Sequence, residues 1–368
     1  MPIEASAGRG GDETCTEPVG VENGGMTPLD FRSDTVTRPN HAMREAMANA
    51  EVGDDVFGED PTARTLEEEV AELLGKEAAL FVPSGTMSNQ VALLVHTRPG
   101  DEVILSRAAH MTFYESGAGA ALAGVQFASV GNRGTFTVDE MLSAIKPERD
   151  YHPRTRLVAI ENTHNSAGGR IFPEREALAV AVAARERGLA LHLDGARLWN
   201  AAVATGTEPA RLAAPFDTVS VCFSKGLGAP VGSALVGPRE TIRNARRFRK
   251  MLGGGMRQVG VMAAGALYAL RHHRARLSLD HDHARLLAEG LQGVPRLEVD
   301  ASAVETNIVL VHTRSETAEP VAARLAAVGV LATPFASHTL RFVTHLDLSR
   351  ANVLDATQRI SLALGGSP

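Results

Sequence analysis

A lysine that follows a strand-like segment is the first residue of this sequence in a setting suited to chemistry. Residues Thr218–Phe223 alternate between apolar and smaller side chains, which is the period of a half-buried strand. Lys225 comes just after this segment, and Gly226 and Gly228 follow it. Glycines let a backbone turn sharply and lie against a flat ligand, because no Cβ stands in the way. Taken alone, the same pattern is also typical of an exposed loop lysine.

A carboxylate occupies a similar position earlier in the chain. Asp194 ends the apolar segment Ala190–Leu193 and precedes Gly195, although an aspartate there is also a common helix cap. About one helix and one strand separate Asp194 from Lys225, so both side chains can face one crevice. A buried lysine and a buried carboxylate are each costly unless a ligand pairs with them. Pyridoxal phosphate would pair with both, through its aldehyde and its pyridinium nitrogen.

A phosphate cradle is predicted where a third strand runs into a helix. The segment Phe81–Asn89 reads as a strand, a turn of small residues and a helix start. The backbone N–H groups of Gly85 and Thr86 would point at a phosphate there, assisted by the helix dipole. Serine and threonine at such a place are more often simple helix caps. The combination with Lys225 and Asp194 is what favours a phosphate site.

Two histidines also follow predicted strands. His110 comes after the segment Glu102–Leu105, and its imidazole could stack on a pyridine ring and transfer protons near neutral pH. His164 comes after the segment Arg156–Glu161. A lone histidine is often structural, and the sequence does not decide which of the two is the catalytic base.

Short apolar segments that alternate with helical ones must position these residues. We expect a mostly parallel seven-stranded sheet covered by helices, which is an α/β large domain, followed by a smaller α+β domain. Ligands of such sheets bind beyond the carboxyl ends of the strands. A long helical segment, roughly Val259–Leu291, is predicted to link to the second domain. The seven predicted strands are Ala78–Pro83, Glu102–Leu105, Gln126–Val130, Arg156–Glu161, Ala190–Leu193, Thr218–Phe223 and Ser233–Val236.

The predicted domain organisation has four parts. Residues 1–25 hold six glycines, five acidic residues and one basic residue, so we interpret them as a disordered acidic, glycine-rich extension. Residues 26–50 form an N-terminal arm and helix. Residues 51–272 form the large domain that binds pyridoxal phosphate, and residues 273–368 form the small C-terminal domain.

Composition excludes several classes of protein. The net charge of −6 argues against a nucleic-acid protein. One basic run lies on a single helix face that suits solvent or a subunit contact, and it consists of Arg243, Arg246, Arg247, Arg249 and Lys250. No apolar run reaches membrane-spanning length and no signal peptide is evident, so we expect a cytoplasmic protein without membrane partners. The two cysteines, Cys15 and Cys222, agree with a reducing compartment.

Histidines between residues 272 and 283 raise the question of a metal. His281 and His283 flank Asp282, and His272 and His273 precede them. We place these residues on an exposed helix without a fourth convergent ligand, so no metal is assigned.

The motifs together resemble the threonine aldolases of the pyridoxal-phosphate fold-type I group, also called the β-eliminating lyase family. The resemblance covers nearly everything after the first 25 residues, and its motifs occur in the same order along the chain. In this sequence they are FRSDTVTRP from Phe31, GDDVFGEDP, PSGTMSNQ, IENTHN, HLDGARLWNA, SKGLGAPVGS, KMLGGGMRQ and RFVTHLDLSR.

The resemblance implies a role for each cofactor residue. Lys225 matches the lysine that attaches pyridoxal 5'-phosphate, and Asp194 matches the partner of the pyridinium nitrogen. Gly85 and Thr86 match the phosphate cradle, while His110 matches the histidine that stacks on the ring.

The resemblance also implies how substrate and subunits take part. His164 resembles the histidine near the substrate's β-hydroxyl group, and Ser33, Arg197 and Arg341 resemble the groups around the substrate's carboxylate, with Arg197 also close to the cofactor. Arg257 resembles a phosphate ligand from a neighbouring subunit, which implies shared active sites in a homo-oligomer, usually a tetramer built from dimers.

The implied activity is reversible cleavage of L-threonine or L-allo-threonine into glycine and an aldehyde. A rival hypothesis is another pyridoxal-phosphate reaction on the same scaffold, such as aldol transfer, β-elimination or cleavage of bulkier β-hydroxy amino acids. A second rival is a cofactor-binding protein without catalysis, which has no chemical need of Lys225, Asp194 and both histidines.

Overall fold

A computed structural model describes residues 27–365 of the chain, so the predicted extension over residues 1–25 and Cys15 lie outside the described residues. The strands, in chain order, are β1 Leu29–Asp30, β2 Ala78–Val82, β3 Glu102–Ser106, β4 Gln126–Val130, β5 Thr155–Glu161, β6 Ala190–Gly195, β7 Thr218–Cys222, β8 Ser233–Gly237, β9 Leu297–Glu298, β10 Ile308–Thr313, β11 Val330–Leu331, β12 Thr333–Ala336 and β13 Thr339–Val343. The α-helices are α1 His41–Ala48, α2 Pro61–Leu73, α3 Gly85–His96, α4 His110–Phe113, α5 Val138–Ala144, α6 Glu174–Arg185, α7 Leu198–Thr205, α8 Pro209–Ala213, α9 Arg239–Met251, α10 Gly260–His272, α11 Leu277–Leu291, α12 Ala318–Ala327 and α13 Arg350–Ala363.

The central sheet confirms the predicted fold class. It has seven strands in the order β2-β8-β7-β6-β5-β3-β4, and each of the seven predicted strands is one of them. All neighbours pair in parallel except β8, which is antiparallel to both β2 and β7. The β7–β8 connection contains no crossover helix, so the chain reverses direction there.

The reversal at β8 has a consequence for the edge of the sheet. Because β2 and β7 both run opposite to β8, they run in the same direction as each other. Val82 and Cys222, the last residues of β2 and β7, both pair with Ser233 at the start of β8. The segments after these two strands therefore leave the sheet side by side.

Among the described residues, buried apolar side chains form four clusters, and the two largest organise the fold. The larger one lies between the central sheet and the helices on it, and includes Leu66 of α2, Val180 of α6 and Leu267 of α10. The smaller one lies on the antiparallel sheet β12-β13-β10-β9 and includes Leu287 of α11 and Val353 of α13. The predicted domain boundaries stay a prediction.

The N-terminal arm packs on the smaller core. Its strand β1 pairs in parallel with β11, and the ring of Phe31 meets the edge of Phe342 with centroids 6.0 Å apart. Phe31 is fully buried there. The arm therefore leaves the smaller unit and crosses toward the large sheet, a path that the sequence did not reveal.

The predicted helical segment over Val259–Leu291 consists of two helices. Helix α10 ends at His272 and α11 begins at Leu277. The break lets the second helix change cores: Leu277 packs on the larger core, whereas Leu287 packs on the smaller one. His273 in the break is held by the carbonyl oxygen of Leu227, 2.7 Å from its Nδ1.

Over residues 27–365, none of the helices combines the length and the apolar character needed to cross a membrane.

Candidate active site

The carboxyl edge of the central sheet brings three of the predicted residues together. His110 follows β3, Asp194 lies in β6 and Lys225 follows β7. Asp194 is buried, whereas His110 and Lys225 are half-buried and reach the space beyond the strand ends. Burial acts to raise the pKa of Asp194, but the positive charges of His110 and Lys225 outweigh it and hold that pKa below its usual value. Asp194 is thus a carboxylate with the amine of Lys225 and the imidazole of His110 nearby.

Hydrogen bonds fix the Asp194 carboxylate in place. Its Oδ1 accepts from the backbone N–H of Ala196 at 3.1 Å, and its Oδ2 accepts from Nδ2 of Asn89 at 2.8 Å. Asn89 lies on α3, the helix that follows β2, and is itself buried. A fixed, ionised carboxylate of this kind suits a protonated ring nitrogen.

The predicted phosphate cradle has free donors. Ser84 caps α3 by accepting from the N–H of Met87 at 3.2 Å, and within residues 27–365 the N–H groups of Gly85 and Thr86 make no hydrogen bond. A Cβ on Gly85 would lie 2.7 Å from Sγ of Cys222. Only glycine therefore lets this helix end pack so closely against the end of β7. An anion fits such a helix start.

Arg197 is held by a residue that the sequence reasoning missed. Asp34 in the N-terminal arm accepts from Nε and Nη2 of Arg197, each at 2.8 Å, and both side chains are buried. Burial acts to raise the pKa of Asp34, but Arg197 and the charge of Lys225 lower it to about 2. The charge of Arg197 is therefore already balanced within the protein.

Arg341 has donor capacity left. Its Nη1 donates to Oδ1 of Asn165 at 3.0 Å, and Arg197 reaches the same oxygen from Nη1 at 3.3 Å. The Nε of Arg341 is buried and has no hydrogen-bond partner among the described residues. Burial lowers the pKa of Arg341, and the neighbouring Arg197 charge adds to this effect. A carboxylate ligand would relieve both conditions.

Ser33 lies in the N-terminal arm between Arg32 and Asp34, the two residues of the arm that contact Arg341 and Arg197. Its Oγ accepts from the N–H of Thr35 at 3.2 Å and caps a short 3₁₀ helix at Asp34–Val36. The carbonyl oxygen of the preceding Arg32 accepts from Nη2 of Arg341 at 3.2 Å. Ser33 is thus one residue away from the carbonyl group that Arg341 contacts and one residue away from Asp34.

His164 is more enclosed than His110. Its side chain is 1% exposed, and neither ring nitrogen has a hydrogen-bond partner among the described residues. Its Nε2 is 3.6 Å from Oε2 of Glu161, and that same oxygen accepts from the backbone N–H of His110 at 2.7 Å. Gly134 packs directly against the imidazole. Among the residues that the structure describes, no hydrogen bond joins His164 to Asp194 or Lys225.

Arg257 lies apart from the other predicted site residues. Its side chain is 61% exposed and its Nη1 is 3.2 Å from Oδ2 of Asp54. Within residues 27–365, no hydrogen bond connects it to Lys225, Asp194 or Arg341. It is available to a neighbouring chain.

The histidines near residue 281 differ from the prediction. His281 is only 3% exposed, and its Nε2 lies 3.2 Å from Nδ2 of Asn200. Burial is the main reason that its pKa falls to about 4. The expectation of an exposed helix face is therefore wrong at His281, because α11 packs its first turns on α7.

Sequence reasoning also overlooked Asn89 and Glu115. Asn89 lies four residues after Gly85, which puts it one helical turn below the cradle, on the inward side of α3. Glu115 lies five residues after His110 and accepts from its ring. A polar residue one turn inside a predicted ligand-binding helix start is the signal that could have identified Asn89.

Comparisons with known proteins agree with this arrangement. The family model described as β-eliminating lyase matches residues 30–315. The chain is similar to a probable low-specificity L-threonine aldolase 2 of Arabidopsis thaliana, with 49% identity over 88% of this chain and 94% of the relative. It is similar to a low specificity L-threonine aldolase of Escherichia coli strain K12, with 45% identity over 89% of this chain and 96% of the relative.

Solved structures share the fold. A structure of threonine aldolase from Leishmania major superposes with a TM-score of 0.78 at 21% identity, and covers 92% of this chain and 100% of that chain. The resemblance stated from the motifs is thereby confirmed. The lysine, the carboxylate and the free helix-start donors at one sheet edge also fit pyridoxal phosphate. This chain is an enzyme of the β-eliminating lyase family, with the fold-type I architecture of pyridoxal-phosphate enzymes.

Proposed function

We propose that this protein is a pyridoxal-phosphate-dependent aldolase that cleaves L-threonine, L-allo-threonine and related β-hydroxy-α-amino acids into glycine and an aldehyde, and that it also catalyses the reverse reaction. Relatives with 45% and 49% identity carry the name low-specificity L-threonine aldolase, which supports this activity. Within the site, the observation that carries the proposal is the Nε of Arg341, which has no hydrogen-bond partner among the described residues, on an arginine that shares the Asn165 oxygen with Arg197. In this proposal, Arg341 receives the substrate's carboxylate beside the cofactor.

Four residues hold the cofactor in this proposal. Lys225 attaches it covalently, Asp194 pairs with its ring nitrogen, and the N–H groups of Gly85 and Thr86 bind its phosphate. Pyridoxal phosphate, when bound, withdraws the electron pair that is left on the substrate's α-carbon after the bond to the β-carbon breaks. Asp194 supports this withdrawal because a nearby carboxylate keeps the ring nitrogen protonated.

The arginines and Ser33 orient the substrate. Arg341 binds the α-carboxylate through its unpartnered donor. Arg197, whose charge is balanced by Asp34, donates to the same Asn165 oxygen as Arg341 and so helps to hold that side chain in place. Holding the carboxylate fixes the torsion about the α-carbon, and so selects which of its bonds is broken. Ser33 closes this end of the crevice.

A histidine removes the proton of the β-hydroxyl group. His110 has the open position and is the first candidate, since its ring is 25% exposed at the crevice. His164 remains the second candidate, and its enclosure would require Gly134 and its turn to move before a substrate could reach the ring. The general base contributes about 100-fold or more to such proton transfers.

The site is completed by a second subunit in this proposal. Arg257 would bind the phosphate of a neighbouring chain's cofactor, in a homotetramer built from dimers with shared active sites. The exposed position of Arg257 and the lack of a described hydrogen bond to its own site support this. We also propose a cytoplasmic location, in keeping with the sparse cysteines.

A product analysis tests the activity. Purified protein with the cofactor is incubated separately with L-threonine and L-allo-threonine, and acetaldehyde, glycine, 2-oxobutanoate and ammonia are measured. Acetaldehyde and glycine in equal amounts are expected, and glycine with acetaldehyde should return the amino acids. Release of 2-oxobutanoate and ammonia instead would contradict aldol cleavage and favour elimination.

A labelling experiment tests the attachment site. Borohydride reduction of the loaded protein followed by peptide mapping should place the pyridoxyl group on Lys225. The Lys225→Ala variant should carry no label, while the exposed Lys250→Ala variant serves as the control and keeps it. A label on another lysine would overturn the assignment of Lys225.

A further inference from the structure

Glu115 is a fully buried carboxylate at the edge of the candidate site. Its side chain is 0% exposed. Its Oε1 accepts from Nδ2 of Asn89 at 2.9 Å, and its Oε2 accepts from Nε2 of Gln90 at 2.6 Å. Both amides come from consecutive residues of α3. Two uncharged amide donors therefore hold the buried carboxylate in one orientation.

The third partner of Glu115 is His110. Nδ1 of the imidazole lies 2.8 Å from Oε1 of Glu115, and the rings of His110 and Tyr114 pack with centroids 5.5 Å apart. Because a carboxylate has only acceptor oxygens, Nδ1 of His110 is the donor in this contact. The proton is thereby held on Nδ1, and Nε2 is the ring nitrogen left for the crevice.

Glu115 and Asp194 are also linked to each other. The same Nδ2 of Asn89 donates to Glu115 at 2.9 Å and to Asp194 at 2.8 Å. One ring nitrogen of His110 and one oxygen from each carboxylate all lie within 4.8 Å of one another. Two carboxylates so close repel each other, and a positive charge between them relieves the repulsion.

The imidazole of His110 is placed to supply that charge once its Nε2 has accepted a proton. Burial acts to lower the pKa of His110, yet the hydrogen bond with Glu115 and the charge of Asp194 raise it above its usual value, against the opposing charge of Lys225. The carboxylate of Glu161 faces the backbone N–H of His110 rather than its ring. Glu115 is thus the only carboxylate among the described residues that is hydrogen-bonded to the imidazole.

A second histidine supports the orientation of Asn89 from behind. Nε2 of His192 lies 3.3 Å from Oδ1 of Asn89, and Nδ1 of His192 lies 2.9 Å from Oγ1 of Thr218. Burial is the main cause that lowers the pKa of His192 to about 3, so the ring is neutral and donates one proton. With its oxygen facing His192, Asn89 must turn its amide nitrogen toward the two carboxylates.

We propose that Glu115 is a positioning residue for the reaction, which fixes the tautomer and the plane of the His110 imidazole so that Nε2 faces the substrate. The arrangement is a carboxylate–histidine pair in which Glu115 touches neither cofactor nor substrate. This inference rests on the proposed function only for the identity of the reaction in which His110 takes part. The hydrogen bond itself can be tested without any substrate.

A double-mutant cycle tests whether Glu115 acts through His110. The variants are Glu115→Gln, His110→Asn and the double variant, all loaded with cofactor. Glu115→Gln should lower kcat by about 10-fold or more with little change in KM, a smaller effect than the loss of the imidazole itself. In the His110→Asn background, the same change should have no further effect on kcat. If the double variant instead loses kcat by the product of the two single-variant factors, the two residues act independently and the proposal is wrong.

A second substitution separates the role of Glu115 from mere structural damage. Glu115→Gln places an N–H₂ group opposite Gln90, whose Oε1 has no hydrogen-bond partner among the described residues and can turn to accept from it. The glutamine oxygen still accepts from Nδ1 of His110, so Glu115→Gln removes the negative charge and keeps the acceptor, whereas Glu115→Leu removes both. Glu115→Leu should therefore lower kcat more than Glu115→Gln does, while both variants keep the cofactor absorption of the original protein. Equal kcat values for the two variants, both fully loaded, would contradict a positioning role.

A measurement without substrate separates this inference from the proposed function. Histidine imidazole resonances are followed by NMR as pH is varied, and the signal of His110 is identified by its absence from His110→Asn. The original protein should show a proton fixed on Nδ1, and Glu115→Gln should lower the His110 pKa by about one unit or more, since it removes an adjacent opposite charge. An unchanged titration would overturn the proposal even if threonine is cleaved. A shifted titration would support the contact even if threonine is not the substrate.

Discussion

Arg197 and Asp34 form a buried, two-pronged ion pair, with Nε and Nη2 of the arginine each 2.8 Å from a carboxylate oxygen. The two residues are separated by 163 positions in the chain, so the pair ties the N-terminal arm to the edge of the central sheet. The ion pair also determines which arginine remains for a ligand. The charge of Arg197 is balanced by Asp34, whereas the buried Nε of Arg341 has no hydrogen-bond partner among the described residues.

Replacing Arg341 should therefore weaken substrate binding specifically. We expect Arg341→Gln to raise KM for L-threonine by about 10-fold to 100-fold, because a hydrogen bond to a charged group contributes about 1.5–3 kcal/mol. The absorption of the bound cofactor should not change. Steady-state kinetics with the exposed Arg314→Gln variant as a control provides the check. An unchanged KM in Arg341→Gln would contradict the assignment of this arginine as the carboxylate receptor.

Replacing Asp34 should affect folding rather than only catalysis. Asp34→Asn leaves the buried charge of Arg197 uncompensated, and such a change costs about 3–5 kcal/mol in the free energy of unfolding. Denaturant unfolding of the cofactor-free protein measures this loss. The exposed Asp139→Asn variant is the matched control and should unfold as the original protein does.

The same carboxylate predicts a dependence of stability on pH. Its pKa is lowered to about 2 in the folded protein from a usual value of 3.8, so its contribution is complete above about pH 4 and is lost as pH falls toward 2. The original protein should lose stability over this window, and Asp34→Asn should lose about 2 kcal/mol less. Equal slopes for the two proteins between pH 4 and pH 2 would contradict a depressed pKa at Asp34.

Asp280 should show the opposite dependence. This buried carboxyl on α11 has its pKa raised to about 7, chiefly by burial and against the effect of Arg276, 3.0 Å away. The unfolded chain releases this proton near pH 4 and the folded protein near pH 7, so stability falls as pH rises between them. Asp280→Asn should be more stable than the original protein at pH 8 by about 2–4 kcal/mol. The difference should vanish below about pH 4, which unfolding curves at both pH values can verify.

The contact between Gly85 and Cys222 should control cofactor affinity. A methyl group at residue 85 would lie 2.7 Å from Sγ of Cys222, so Gly85→Ala must push the start of α3 away from β7. We expect Gly85→Ala to weaken cofactor binding by about 10-fold or more, because the two free N–H groups then miss the phosphate.

A compensating change gives the control for this prediction. Cys222→Ala removes the sulfur atom and leaves space for the added methyl group, so the combined variant should recover most of the affinity. Equilibrium titration with pyridoxal phosphate, followed by absorbance, measures all three variants. If Cys222→Ala brings no recovery in the presence of Gly85→Ala, the steric explanation is wrong.

The sequence by itself determined the central sheet and the order of its strands along the chain. Apolar runs of about five residues between turn residues and helical segments are local signals, and each of the seven predicted strands is present in the sheet. The motifs around Lys225, Asp194 and Gly85 indicated the family for a similar reason. Each consists of a strand end followed by small or charged residues, and this pattern is contained in fewer than ten consecutive residues.

Only the tertiary structure decided which distant groups share a hydrogen bond. The pairing of Asp34 with Arg197 joins elements 163 positions apart, and the amide of Asn89 joins Asp194 to Glu115 across 105 and 26 positions. Such contacts depend on strand order, on the reversal at β8 and on the path of the arm, none of which leaves a periodic mark in the sequence. Burial of His281 and the break before α11 have the same origin, because packing on two different cores overrides a continuous helical pattern.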